Sequence, residues 1–174
     1  MKIDLRLLDI SDKEEYWKLG FENPDKEMFY YTGTTKYPTK EEIDVFIQKS
    51  ISSKERRHFL ICNNDTIIGE VVLMDIDDDY KSCSFRIAIF NKNNFNKGIG
   101  LKATNKALQI AFTELNLHRV ELEVYDYNPR AKAMYEKVGF NLEGTKRDAI
   151  YINNEFHDVY IMSILEKEFR DIYN

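Results

Sequence analysis

The chain has 174 residues, of which 43% are hydrophobic and 32% charged, with only 7 glycines and 3 prolines. This length favours a single globular domain spanning residues 1–174, and the composition excludes collagen-like, low-complexity and wholly disordered proteins. The formal net charge of -5 at pH 7 would repel a phosphate backbone. We therefore expect no nucleic-acid partner.

Few residues are available for metal binding, disulfides or membrane insertion. Two cysteines and three histidines do not make a disulfide framework or a promising zinc site. The longest uncharged run, Met28 to Thr35, is far shorter than the ~20 apolar residues of a membrane span. Met1 to Arg6 carries charges where a signal peptide needs an apolar stretch. We expect a cytoplasmic protein without a metal and without a membrane partner.

The first 38 residues predict a strand, a helix and an irregular loop, in that order. Apolar and charged residues alternate over Met1 to Leu7, which predicts a half-buried strand. Ser11 and Glu14 have the spacing of a capping box, so Ser11 is expected to cap a helix. Asn23 to Pro38 is turn-rich and aromatic, and we interpret it as an irregular loop that forms a pocket wall.

A second capping-box spacing, Thr39 with Glu42, precedes an amphipathic helix. Three β-rich segments follow, Arg57 to Cys62, Thr66 to Met74 and Ser82 to Phe90, and they predict a meander of antiparallel strands.

The C-terminal half alternates helices with strands. Gly98 to Leu117 repeats apolar residues at helical spacing, and Val120 to Val124 alternates as a strand. Asn128 and Gly139 then bracket a shorter helix over Arg130 to Val138 as its cap and its stop.

Phe140 to Glu143 and His157 to Leu165 predict the closing strands. The order of elements predicts the α+β class, that is, a mixed α/β protein with one mixed sheet.

Basic residues are segregated between Asp79 and Glu114, where six occur with no acidic residue. In an acidic chain this favours a local anionic ligand, although a solvated lysine face gives the same pattern. Within this segment, Asn96 to Gly100 leads from a strand into the N-terminus of the long helix. Its glycines remove obstructing side chains, and the free N–H groups of the first helical turn attract an anion. This pattern predicts a phosphate site.

Two other phosphate-binding patterns fit less well. Gly98, Gly100 and Ala103 satisfy the form of a dinucleotide fingerprint, with Glu121 and Glu123 about 20 residues further on. That fold needs its glycines directly after the strand and several further β-α units, whereas a polar segment intervenes here and one unit follows. No Gly-Lys-Ser or Gly-Lys-Thr occurs, so a P-loop is excluded.

Three motifs follow one another along the chain: Phe95 to Gly100 (FNKGIG), Asn128 to Ala131 (NPRA) and Tyr135 to Phe140 (YEKVGF). Their order resembles that of the GNAT superfamily of N-acetyltransferases. They are similar to the family's pyrophosphate loop and to the opening and end of its second helix. Within the superfamily, the chain resembles the branch of ribosomal-protein alanine and serine acetyltransferases and the similar spermidine acetyltransferases.

The resemblance implies acetyl-CoA as donor and a mostly antiparallel sheet, splayed between the fourth and fifth strands and flanked by helices. It implies that the pantetheine arm pairs with the fourth strand, that the loop binds pyrophosphate, and that the second helix flanks the thioester with a tyrosine near the sulfur. The residues implied for the strand are Ile87, Ala88 and Ile89, and those implied for the pyrophosphate loop are Phe95, Asn96, Lys97, Gly98, Ile99 and Gly100. On the second helix, Asn128 and Ala131 are the implied residues beside the thioester, and Tyr135 is the implied tyrosine near the sulfur.

The chain departs from the family pattern at four positions. Phe95 stands where the loop commonly has Gln or Arg, and Asn96 where it commonly has Gly. Ser84 occupies the place of a glutamate found in spermidine-type relatives, and Ala131 that of a serine in ribosomal-type relatives. The resemblance therefore assigns no carboxylate base.

The free-energy cost of deprotonating an amine orders the candidate acceptors. At pH 7, deprotonating a polyamine-like nitrogen of pKa about 10.4 costs roughly 4.6 kcal/mol, and a peptide N-terminus of pKa about 7.7 roughly 1 kcal/mol. Without an assigned base, a protein or peptide N-terminal amine is the first hypothesis.

A polyamine is the alternative acceptor, since the acidic run Asp75 to Asp79 would attract one. A coenzyme A-binding protein without catalysis is a further alternative, and a homodimer is the default if the chain self-associates.

Tyr135 is the candidate general acid for the departing thiolate. Its other interpretation is a core tyrosine, since Ala131, Met134 and Val138 form an apolar stripe with it.

Overall fold

Seven strands form one sheet in the computed structural model, which describes residues 2–173. They are β1 (Ile3–Leu7), β2 (Arg57–Asn63), β3 (Thr66–Asp77), β4 (Ser82–Ile89), β5 (Arg119–Tyr125), β6 (Asn141–Ile152) and β7 (Glu155–Leu165). The spatial order is β1-β2-β3-β4-β5-β7-β6, and every neighbouring pair is antiparallel except β4 with β5. The predicted mixed, mostly antiparallel sheet is confirmed.

Helices flank this sheet on both faces. They are α1 (Lys13–Gly20), α2 (Lys26–Tyr31), α3 (Lys40–Ser52), α4 (Ile99–Gln109), α5 (Pro129–Val138) and α6 (Glu166–Tyr173). One apolar cluster joins the sheet to α4 and α5, and a second joins it to α1, α2 and α3. The apolar stripe of α4 continues through one π-helical turn, Ile110–Glu114.

The parallel pair β4–β5 is short. The two strands are in register only at Ser82 with Arg119, Cys83 with Val120 and Ser84 with Glu121. Beyond this point β4 continues to pair with β3 as far as Ile89, so its other edge has no partner strand. The splay predicted between the fourth and fifth strands is confirmed.

The helix caps agree with the sequence at one predicted capping box and differ at the other. Thr39 accepts the N–H of Glu42 at 3.2 Å, and the Glu42 carboxylate accepts the N–H of Thr39 at 2.8 Å. The prediction for Ser11 was wrong, because Asp9 with Asp12 forms the capping box, around a 3₁₀ turn. Ser11 instead donates its N–H and its hydroxyl to Asp9.

Two segments carry more regular structure than their sequences indicate. The predicted loop from Asn23 to Pro38 contains α2, which has six residues and is capped by Asp25. Such a helix is too short for a periodic pattern to reveal. Strand β6 runs well past Glu143, over mostly exposed residues with no apolar alternation, and α6 follows β7 directly.

We expect Gly69→Ala to destabilise the fold. An ideal Cβ at Gly69 would lie 2.4 Å from the carbonyl oxygen of Ala88, on the neighbouring strand β4. Relieving this overlap must shift paired backbone, at a cost on the order of 1–3 kcal/mol. The melting temperature should fall, whereas Gly144→Ala, with no atom within 4 Å of its Cβ, should leave it unchanged. Equal melting temperatures for the two variants would contradict this constraint.

Candidate active site

A cavity of about 770 Å³ opens where β4 and β5 diverge. Strands β3, β4 and β5, helices α2 and α5, and the start of α4 supply its walls. The residues of the implied site that line it are Ile87, Ala88, Ile89, Phe95, Asn96, Gly98, Ile99, Gly100, Asn128, Ala131 and Tyr135. The remaining one, Lys97, has an exposed side chain and is not part of the lining.

The loop before α4 leaves the helix N-terminus open. Asn96 and Gly98 adopt left-handed backbone conformations, with φ of 59° and 72°. Gly98 is the N-cap of α4 and has no side chain to satisfy the N–H groups of the first turn. A Cβ at Gly98 would meet no atom within 4 Å, so space is free beside these donors. The arrangement fits a phosphate group.

The free edge of β4 suits an amide-containing ligand. Its backbone from Phe85 to Ile89 pairs with β3 on one side only, and Ile87, Ala88 and Ile89 line the cavity. Backbone polar groups at such an edge need a hydrogen-bond partner from ligand or water. Together with the open loop, this edge fits the pantetheine arm and pyrophosphate of coenzyme A.

Asn128 fixes the start of α5 against α2. Its side-chain oxygen accepts the N–H of Ala131 at 3.2 Å, which confirms the predicted cap. Its amide nitrogen donates to the carbonyl of Tyr31, at the end of α2, over 3.5 Å. The residue is buried, at 8% exposure, and both contacts are partly buried. The cap therefore joins the two walls of the cavity.

Tyr135 projects from α5 into a pocket of aromatic rings. Its ring lies edge-to-face with Phe85 and Phe140, at centroid distances of 6.2 and 5.7 Å. Burial raises the pKa of Tyr135 well above the usual range of a phenol. The hydroxyl therefore holds its proton at neutral pH. It lies in the cavity lining, as a proton donor to a bound ligand must.

Acidic side chains also form part of the lining. In β5, Val120, Leu122 and Val124 pack toward α4 and α5, so the alternating Glu121 and Glu123 face the other side of the sheet. These two glutamates line the cavity, together with Asp75 of β3. From the sequence, Glu121 and Glu123 were considered only as part of a dinucleotide fingerprint, and Asp75 as part of an acidic run that attracts a polyamine. The alternation of β5 was the signal that could have placed both glutamates on one face.

A buried carboxylate holds a basic side chain at the cavity wall. Glu70 of β3 accepts hydrogen bonds from Tyr16 at 2.5 Å, His58 Nε2 at 2.9 Å and Arg86 at 3.0 Å. Burial alone would raise the pKa of Glu70, but the hydrogen bond from His58 and the charge of Arg86 lower it to about 2. The ionised Glu70 thereby fixes Arg86, which lines the cavity.

Within residues 2–173, no group of three or more His, Cys, Asp or Glu side chains is arranged to hold a metal ion. No helix in this range has the length and apolar character of a membrane span.

The acetyltransferase (GNAT) domain family matches residues 2–141. The chain therefore belongs to the GNAT family, and the resemblance found in the sequence is confirmed. It is an acetyl-CoA-dependent N-acetyltransferase.

Two relatives and one solved structure within this family are similar to the chain over nearly its whole length. A spermidine N(1)-acetyltransferase of Vibrio cholerae is 30% identical over 97% of this chain and 95% of its own length. A putative ribosomal N-acetyltransferase of Bacillus subtilis is 28% identical over 95% of this chain and 92% of its own. The crystal structure of a Vibrio cholerae spermidine N-acetyltransferase with CoA and spermine superposes with a TM-score of 0.87, at 30% identity, over 97% and 98% of the two chains.

We expect Gly98→Val to abolish acetyl-CoA binding in titration calorimetry. Valine is β-branched and disfavoured at a φ of 72°, and its side chain would occupy the space beside the helix N-terminus. The strain costs on the order of 1–3 kcal/mol, so circular dichroism must first show that the variant is folded. Gly144→Ala serves as the glycine control. A folded Gly98→Val protein with wild-type affinity would show that this loop is not the phosphate site.

Proposed function

We propose that the chain, acting as one domain over residues 1–174, acetylates a primary amine of a small polycation of the spermidine type. The acidic wall of Asp75, Glu121 and Glu123 carries this proposal, because these side chains share a cavity with the implied acetyl-CoA site. Spermidine acetyltransferases among its relatives support it. The order of acceptors expected from the sequence is thus reversed.

The charges of the acidic wall are only partly neutralised. Glu121 pairs with Arg119 at 3.0 Å and Glu123 with Lys146, both among partly exposed side chains. Within residues 2–173, Asp75 has no ion-pair partner within 4.0 Å. A polyamine keeps positive charges on its other nitrogens while one of them reacts. Carboxylates beside the reacting position therefore attract it and orient it.

The same wall offers a base where the fourth strand has none. Ser84 stands at the position of the glutamate found in spermidine-type relatives, and Glu121 lies directly opposite Ser84 in the β4–β5 register. Glu121, or Glu123 two residues further on, can accept the amine proton directly or through one water.

The residues on the coenzyme side perform the other half of the reaction. When bound, acetyl-CoA supplies a thioester that the neutral amine attacks. The edge of β4 and the cap Asn128 orient the thioester end, and the start of α4 holds the phosphates. Tyr135, whose hydroxyl is protonated at neutral pH, donates that proton to the departing thiolate as the carbon–sulfur bond breaks.

A protein N-terminal amine is the second candidate acceptor. It needs roughly 1 kcal/mol for deprotonation at pH 7, and one relative is a putative ribosomal N-acetyltransferase. The fixed cation Arg86, 3.0 Å from Glu70, could hold a peptide carbonyl at the cavity wall. Membership of the family favours either acceptor over coenzyme binding without catalysis.

Acceptor competition would test this proposal. The enzyme, acetyl-CoA, spermidine and a peptide with a free N-terminus are mixed, and products are identified by mass spectrometry. We expect acetylated spermidine to dominate. Glu121→Gln and Glu123→Gln should lower kcat/KM for spermidine more than for the peptide, because the peptide amine carries no second charge. Acetylated peptide without acetylated spermidine would overturn the polyamine assignment.

We expect Tyr135→Phe to lower turnover and leave acetyl-CoA affinity nearly unchanged. The phenyl ring still packs on Phe85 and Phe140, so only the proton donor is lost. Loss of a general acid typically costs roughly 100-fold to 10,000-fold, or about 3 to 5 kcal/mol in the barrier. Single-turnover kinetics would separate this step from product release. Full turnover in Tyr135→Phe would identify Tyr135 as a core residue only.

A further inference from the structure

Three separate segments meet at the side chain of Arg130, in the first turn of α5. Its guanidinium carbon lies 4.1 Å from the ring centroid of Phe95 and 5.0 Å from that of Tyr31. Phe95 belongs to the loop before α4, and Tyr31 is the last residue of α2. Cation–π contacts of this kind contribute about 0.5–1 kcal/mol each at exposed sites. The two rings therefore hold the guanidinium in place.

The charge of Arg130 is not neutralised by the protein. Within residues 2–173, no carboxylate oxygen lies within 4.0 Å of its guanidinium, whereas Arg86, the other arginine of the lining, is paired with Glu70 at 3.0 Å. Aromatic contacts use the faces of a guanidinium and leave the N–H donors of its edge available. Arg130 is thus a fixed cation with free donors at the wall of the cavity.

The position of this cation matches the phosphate loop. Phe95, on which Arg130 stacks, begins the segment that ends at the open N-terminus of α4. The side chain of Phe95 has no polar group to offer a phosphate, and its N–H donates to the carbonyl of Lys92. Arginine presents paired donors that suit phosphate oxygens, and a phosphate held by both backbone N–H groups and a guanidinium gains from each.

We propose that Arg130 binds the pyrophosphate of acetyl-CoA and that the ring of Phe95 positions it for this contact. Phe95 then acts through Arg130 as a positioning residue. Tyr31 extends the same stack to α2, and the bond from Asn128 to the Tyr31 carbonyl fixes the end of that helix.

Binding measurements with coenzyme fragments test the assignment. Dissociation constants of CoA, 3′-dephospho-CoA and pantetheine are measured by calorimetry for the wild type and for Arg130→Met, whose unbranched side chain preserves packing. We expect affinity for CoA and for dephospho-CoA to fall about tenfold or more, by the same factor, while affinity for pantetheine is unchanged. Raised salt should weaken CoA binding less in the variant than in the wild type.

Lys132→Met is the matched control. It removes a cation from the same helix, but Lys132 pairs with Glu136 and lies outside the cavity lining. It should change CoA affinity less than twofold. If Arg130→Met does not fold, Arg130→Lys keeps the charge without the paired donors and should show a smaller loss of CoA affinity. An unchanged CoA affinity in the folded Arg130 variant would overturn the proposal, and a loss confined to CoA would overturn it in favour of the 3′-phosphate.

A double-mutant cycle tests the role of the ring. Phe95→Leu should weaken CoA binding less than Arg130→Met does, and the double variant should bind like Arg130→Met alone, because the ring acts through the guanidinium. Fully additive effects would show that Phe95 does not position Arg130.

Discussion

The end of pairing between β4 and β5 governs the arrangement of the whole site. The last paired residues of the two strands are Ser84 and Glu121, and the strands diverge after them. A sheet interior leaves few backbone groups unpaired, so the exposed edge of β4 is an unusual feature and a strong one for recognition. This divergence creates the cavity and exposes the edge of β4 to the coenzyme.

The two faces of strand β5 carry different kinds of side chain. Val120, Leu122 and Val124 anchor α4 and α5, the helices that carry the loop and Tyr135. The intervening Glu121 and Glu123 supply the acidic wall on the other face. A one-residue shift in register would exchange these two sets, so the hydrophobic core also fixes which face of the sheet carries the acidic wall.

Local signals in the sequence were sufficient for much of this arrangement. Asn128 and Gly139 act within a few residues of α5, and the loop from Asn96 to Gly100 depends on its own backbone, so their patterns could be interpreted without the fold. The helix α2 has too few residues for a period, and Asp9 replaced Ser11 as a cap because several polar residues compete there.

Contacts between distant segments could not be foreseen in the same way. Glu70 meets Tyr16 and Arg86 across three elements, and Arg130 meets the end of α2. No periodicity or spacing encodes such contacts. The sequence marked Phe95 as a departure from its family, but only the fold shows which side chain its ring contacts.

The buried Glu70 has a consequence for the kinetics of the enzyme. Its pKa is lowered to about 2, so its stabilising contribution is complete above the usual carboxyl pKa and is lost only as the pH falls toward 2. Arg86 accordingly stays fixed over the entire range in which acceptor amines change their protonation. The ascending limb of a pH–rate profile, where activity rises as the nucleophile and its immediate proton acceptor lose their protons, is then undistorted by titration of the anchor behind Arg86. Profiles for acceptors of different basicity should be directly comparable on this scaffold.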